Sequence, residues 1–167
     1  MPLQANIQGE ETPVPECIVR QFKESDSDWL MEWYKADRKG MESFMGVPLE
    51  APEACMSAFN RIFEGVIAFQ ARFWVMDLDE EPMGFFLVTD IDRQRHLARI
   101  HIYVGPDHRR YSLKVAQVLD DVLVPELREM GVRTVVASQP FEQRGAYGLA
   151  KRMGFTPVPT VMLTKEI

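Results

Sequence analysis

Residues 104–119 read VGPDHRRYSLKVAQVL. An apolar, β-prone run ends at Val104, the chain turns through Gly105-Pro106, and Leu113, Ala116 and Leu119 then recur at helical spacing. A strand that feeds a helix in this way is the first half of a β-α-β crossover. The basic pair Arg109-Arg110 sits at the turn. A phosphate-binding turn normally places glycines between such residues and the helix, so that the backbone can approach the anion closely. None stands here. The backbone N–H groups of a helix start do not themselves require glycine. The Ser112 hydroxyl can cap the helix or donate to a phosphate oxygen, and Lys114 adds a positive charge. The alternative is that Arg109, Arg110 and Lys114 form a solvated basic patch on the crossover.

Toward the C-terminus the helical period runs through Leu123 and Leu127 to Met130, with Pro125 predicting a kink or irregular turn and Gly131 a stop. Val132 to Ser138 reads as a strand, parallel to the one before the crossover. Phe141 to Arg152 reads as a last helix. Val158 to Lys165 reads as a final apolar strand, completing the sheet within one chain or exchanging between two in a homodimer.

Toward the N-terminus, Leu97–Val104 is the third strand of an antiparallel meander. Its partners are Arg72–Leu78 and Met83–Asp90, with turns at 79–82 and 92–96. Cys17–Phe22 is a short strand. Residues 25–28 then offer N-caps to a helix carrying Trp29, Leu30, Trp33 and Tyr34, which fades at Arg38-Lys39-Gly40. Residues 41–52 read as a loop placed to act as a lid. A second helix, with Met56, Phe59, Ile62 and Phe63 on one face, ends near Gly65. Residues 1–15 read as an extended arm and 16–167 as a single domain. The expected class is α/β (α+β): a mixed, mostly antiparallel twisted sheet flanked by helices.

The composition bounds the function. A 46% apolar and 26% charged chain is ordinary for a soluble globular protein, and a net charge of −6 argues against a general nucleic-acid binder. No run is long and apolar enough to span a bilayer, and the first residues do not read as a signal peptide. The two cysteines, Cys17 and Cys55, make neither a disulfide framework nor a CxxC pair, so a cytoplasmic location with reduced thiols is expected. P-loop, G-x-S-x-G, H-E-x-x-H and zinc-spaced Cys/His patterns are absent. Asp90 and Asp92 are accounted for by turn chemistry, and no metal is expected.

The order of elements, with several local matches, resembles the GNAT superfamily of N-acyltransferases over about residues 17–165. LDEEPMGFF is similar to the hairpin in which a Gly-aromatic pair opens the returning strand. IYVGPDHRR looks like the V-x-P-x-x-R entry to the acyl-CoA loop. GVRTVVAS is similar to the strand that follows, and EQRGAYGLAKRMGF resembles the closing stretch through Ala146, Leu149, Lys151, Gly154 and Phe155. There are departures: Ser112 and Lys114 replace the loop glycines, Ala150 replaces a tyrosine, and Gln143 replaces an asparagine.

The resemblance implies an acetyl-CoA cosubstrate contacted by Tyr103, Val104, Arg109, Arg110, Tyr111, Ser112, Leu113, Lys114 and Gln143. It also implies an amine-bearing small molecule or protein as acceptor. Direct acetylation needs a base for the amine proton, donors for the developing oxyanion and an acid for the leaving thiolate. The backbone N–H near Val104 would be the oxyanion donor. His101 is the base candidate, since its intrinsic pKa suits the task. Strand alternation groups it with Arg99 and Tyr103 on a face that is either a site or a solvent face. Tyr147, one helical turn before Ala150, is the acid candidate, or else it packs on the sheet. The competing function is a catalytically degenerate GNAT-like domain kept as a binding or structural component of an assembly.

Overall fold

The computed structural model describes residues 16–137 and 144–158. One sheet runs in the order β1 Cys17–Gln21, β2 Arg72–Leu78, β3 Glu81–Asp92, β4 Leu97–Val104, β5 Thr134–Val136. Neighbours are antiparallel through β4, and β4 and β5 are parallel. Helices α1 Ser27–Ala36, α2 Arg38–Met45 and α3 Pro52–Ile67 lie between β1 and β2 in the chain. The crossover consists of a 3-10 helix, Pro106–Tyr111, then α4 Ser112–Val118 and α5 Val124–Glu129. Helix α6, Arg144–Arg152, follows β5. The architecture is thus the mixed, mostly antiparallel sheet with a β-α-β crossover expected from the sequence. Residues 159–165 of the expected final strand, residues 141–143 at the start of the last helix and the arm expected at 1–15 lie outside the described residues.

Both faces of the sheet are covered, which is why β2 and β3 are apolar almost without interruption. Phe73, Val75, Phe85, Leu87 and Tyr103 pack with α1, α2 and α3; Trp74, Met76, Phe86, Val88 and Ile100 pack with the crossover and α6. Gly84 sits where β3 passes closest to β4. A Cβ there would overlap the Tyr103 carbonyl oxygen and the Met76 methyl group. A larger residue would therefore push β4 aside at the level where the site opens.

Three departures from the expected elements have local causes. Residues 38–45 are helical, not loop. Asp37 caps α2 by accepting a hydrogen bond from the Gly40 N–H at 3.2 Å, and Gly46, with φ of 70°, ends it. Gly40 is therefore the place where a helix begins; a Cβ there would run into the Asp37 carboxylate. Helix α3 continues past Gly65 and closes with Phe69 in the left-handed region at φ 59°, where the Gln70 N–H reaches the Gly65 carbonyl at 2.8 Å. The irregularity expected at Pro125 lies one turn earlier. Leu119–Leu123 is a π-turn in which the Val124 N–H bonds the Leu119 carbonyl, because a proline has no N–H and its ring crowds the carbonyl four residues back.

The Asp26 carboxylate, expected to cap α1, is used differently. It accepts the Lys23 N–H at 2.7 Å and both terminal nitrogens of Arg20, at 2.7 and 2.8 Å, while Arg20 Nε donates to Asp77 at 2.6 Å. Arg20 thereby joins β1 to β2 and to the start of α1.

Candidate active site

The parallel ladder between β4 and β5 covers Leu97–Arg99 against Thr134–Val136. From Ile100 onward β4 has no β5 partner among the described residues, which leave its edge open. The Gly105 N–H donates to the Met83 carbonyl at 2.9 Å, so Gly105 faces β3. N–H groups of a strand alternate in direction, and the Val104 N–H therefore faces away from β3, into the opening. Behind this edge is a cavity of about 700 Å³ bordered by Ile102, Tyr103 and Val104. That volume is typical of a small-molecule site. Gly105 is pressed against the Trp33 indole, and a Cβ there would lie 2.8 Å from the ring.

One wall is α2 with its N-cap: Asp37 at the cap, then Lys39, Gly40, Ser43 and Phe44. Asp37 is its chemical centre. Its carboxylate accepts from the Gly40 N–H, from the Tyr103 hydroxyl at 3.3 Å and from the Arg109 guanidinium, with which it forms an ion pair. The Asp37 side chain is 20% exposed and that of Arg109 is 56% exposed, so the carboxylate is the fixed member of the pair. Burial, followed by the neighbouring Asp37, pushes the Tyr103 hydroxyl well above the ordinary phenol range. It remains a neutral donor.

The opposite wall carries Arg109, Ser112, Gly145, Gly148, Leu149 and Arg152. The spacing of the α6 residues, 145, 148, 149 and 152, is that of a single helix face. Arg152 donates to the Ser112 Oγ at 2.6 Å across the cavity floor, bringing a second guanidinium close to the start of α4. The site therefore has an edge N–H at Val104, a partly buried carboxylate and a buried phenol on one side, and two guanidinium groups on the other.

The acetyltransferase (GNAT) family profile matches residues 27–155, well over half the chain and all of the elements that build this site. The chain belongs to the GNAT acetyltransferase family. Solved structures with the same fold include the Vibrio cholerae spermidine N-acetyltransferase in complex with CoA and spermine. That structure is 15% identical, with 86% of this chain and 82% of that one covered and a TM-score of 0.62. Also similar is RimL, a ribosomal L7/L12 alpha-N-protein acetyltransferase, in complex with coenzyme A. It is 17% identical over 84% of this chain and 80% of that one, with a TM-score of 0.64. An N-acetyltransferase from Staphylococcus aureus Mu50 is likewise 17% identical, over 84% and 83%, with a TM-score of 0.64. At these identities the likeness is one of fold. No curated protein sequence matches the chain.

Within this GNAT domain the residues singled out from sequence fall into two groups. Tyr103, Val104, Arg109 and Ser112 come together at the cavity. Arg110 does not line it; its guanidinium lies 4.9 Å from the centre of the Tyr111 ring, and Tyr111 packs into the crossover core. Leu113 is 67% exposed on the outer side of α4. Lys114 also turns from the cavity, toward β1, where it opposes the burial that pushes the Cys17 thiol upward. The segment before α4 winds as a 3-10 helix and sends successive side chains in different directions. Gln143 lies outside the described residues.

The two catalytic candidates are both away from the cavity lining. His101 shares its face with Tyr103, as alternation requires, but α2 covers that face. The ring packs edge-on against Phe44 at 6.5 Å, and Nε2 is 3.2 Å from the Thr89 hydroxyl. Burial, and then Arg99, push its imidazole below the usual range. The face offered as site or solvent is thus half-buried beneath α2 at His101 and site at Tyr103. Tyr147 is 48% exposed and falls outside the α6 face that lines the cavity. The residues missed from sequence are Asp37 and Arg152. An N-cap signal at Asp37, followed by apolar Met41 and Phe44 at helical spacing, was present; Arg152 had no signal beyond lying one turn from Gly148 and Leu149.

No group of three or more His, Cys, Asp or Glu residues among those described could hold a metal ion. No helix among the described residues is long and apolar enough to cross a membrane.

Proposed function

We propose that this chain is an acetyl-CoA-dependent N-acetyltransferase acting on a primary amine. The observation that carries the reading is the open end of β4, where the Val104 N–H points into a cavity with two guanidinium groups on one wall and a carboxylate on the other. Acetyl-CoA would supply a thioester carbonyl for direct attack by the neutral amine, whose proton would pass to solvent water in the open cleft. The Val104 N–H would donate to the oxygen on which charge develops. Arg109 and Arg152 would face the cofactor's phosphates, the bidentate role to which guanidinium groups are suited. The Tyr103 hydroxyl, a neutral O–H at the cavity wall, is better placed than Tyr147 to donate a proton to the departing thiolate. An acceptor that is a small molecule or a protein amine fits an open cleft, and the protein would act in the cytoplasm.

A second reading, a GNAT domain that binds without turning over, is favoured by one feature. The segment leading into Ser112 is wound as a 3-10 helix, which engages N–H groups in i→i+3 bonds that a phosphate would otherwise accept.

Titration with acetyl-CoA, followed by calorimetry and thermal melting, tests both. Ligand at about 100 times Kd stabilises a one-site protein by about 2.7 kcal/mol. The acetyltransferase reading expects saturable binding, weakening on Arg109→Glu, and amine-dependent release of free CoA thiol. Binding without thiol release from any amine supports the second reading. Absence of binding at millimolar acetyl-CoA overturns both.

A further inference from the structure

We propose that Asp37 is the carboxylate that receives the acceptor's ammonium group, and that Arg109 occupies it until an anionic ligand draws the guanidinium away. The proposal rests on the acyl-CoA reading of the opposite wall. Asp37 is the only acid among the described residues that line the cavity, where it faces Lys39, Arg109 and Arg152. A cationic amine entering the ligand-free site therefore meets positive charge and a carboxylate that is already paired.

The pair is asymmetric in a way that permits exchange. Asp37 is held at the α1–α2 junction by the Gly40 N–H and the Tyr103 hydroxyl, whereas Arg109 reaches it on a long, half-exposed side chain. Rotation of that side chain frees the carboxylate with no change in the backbone. A phosphate group offers the guanidinium a competing bidentate partner. Once Arg109 has turned to it, Asp37 is a partly buried carboxylate without its countercharge, an unfavourable state that an ammonium group relieves. A primary alkylammonium is the matching class, because its three N–H donors can reach Asp37 while the amine lies beside Val104, the residue next to Tyr103. The two ligands then bind with positive coupling, and each must tighten the other by the same factor.

Calorimetry with CoA and with 1,4-diaminobutane, at fixed ionic strength, measures that factor. For the wild-type chain the amine is expected to bind at least about 10-fold more tightly when CoA is saturating, and CoA equally more tightly when the amine is saturating. Asp37→Asn keeps a carbonyl oxygen for the Gly40 cap; it should bind CoA at least as well as wild type and lose the coupling. Arg109→Gln should bind the amine without CoA as tightly as wild type does with it. If Asp37→Asn does not melt cooperatively, Arg109→Gln decides alone, and amine binding that stays weak there overturns the proposal. Coupling that survives in Asp37→Asn overturns the Asp37 assignment and leaves the acyl-CoA reading standing. A wild-type chain that binds no CoA overturns both.

Discussion

The two faces of the sheet are built from different materials. Under α1, α2 and α3 the core is aromatic: Phe22 stacks on Phe73 with ring centres 4.5 Å apart, Trp33 meets Phe85 at 4.9 Å, and Phe44 lies between Phe73, Phe85 and Tyr103. Under the crossover and α6 it is largely aliphatic, with Met76, Met83, Ile100, Val115, Leu119, Leu123 and Leu127. Aromatic residues bring polar handles into a core. On the first face Tyr34 donates to the Leu49 carbonyl and Tyr103 reaches Asp37. The aliphatic face holds its helices by shape, and among the described residues polar side chains meet at its rim, as in the Ser112–Arg152 bond and the His96 ring against the Gly131 carbonyl. In the proposed reaction, acceptor recognition belongs to the first face and cofactor recognition to the second.

The largest expected effect tests that division. Phe85 is fully buried and touches the rings of Phe22, Trp33, Phe44 and Phe73. Phe85→Ala should cost about 3–5 kcal/mol in denaturant unfolding, and Leu123→Ala on the other face about 2–5 kcal/mol. The difference should appear in ligand binding: the first substitution loosens Trp33 and Phe44 and weakens amine coupling at Asp37, while the second leaves it intact. Equal losses of coupling would break the comparison.

A smaller effect concerns pH. The His101 imidazole is half-buried on the aromatic face, with its pKa lowered by burial and by Arg99. The unfolded chain, with histidine near about 6.5, therefore binds the proton more readily than the folded one. Its contribution to stability is complete above about pH 6.5 and is lost as pH falls toward the folded value. Melting temperatures measured from neutral to mildly acidic pH should fall for the wild type and fall less for His101→Gln. Parallel curves would remove His101 from the account.

The smallest effect compares two helix ends. Helix α5 closes with Gly131 at φ 84°, and α3 closes in the same manner with Phe69 at φ 59°. Left-handed backbone costs a residue with a Cβ about 1–2 kcal/mol, and glycine almost nothing. Phe69→Gly should stabilise the chain by up to about 1 kcal/mol, reduced by the lost contact with Arg72, and Gly131→Ala should destabilise it by about 1 kcal/mol. Thermal melts that leave both unchanged would mean that neither closure controls its helix.

Periodicity makes the meander and crossover legible because both depend on local alternation: the pattern predicts β2 and β4 with their observed bounds. Helix α2 was not legible, since Gly40 reads as a stop when its neighbours are seen only in line. Its role as the space into which Asp37 folds back becomes visible only with the cap formed. The same helix explains His101. A strand with Arg, His and Tyr on one face gives no sign of how much of that face will be covered, and α2 covers part of it.

By itself the sequence determined the order of strands and helices, the place of the crossover and the presence of a basic turn before α4, because backbone preference and hydrophobic period act over a few residues at a time. Tertiary structure decided which charges meet. Asp37 and Arg109 are 72 positions apart, Arg152 and Ser112 are 40 apart, and both pairs exist because, among the described residues, β4 has no β5 partner beyond Arg99 and borders a cavity lined by five separate elements. A site made from side chains so distant in sequence has no local period to announce it.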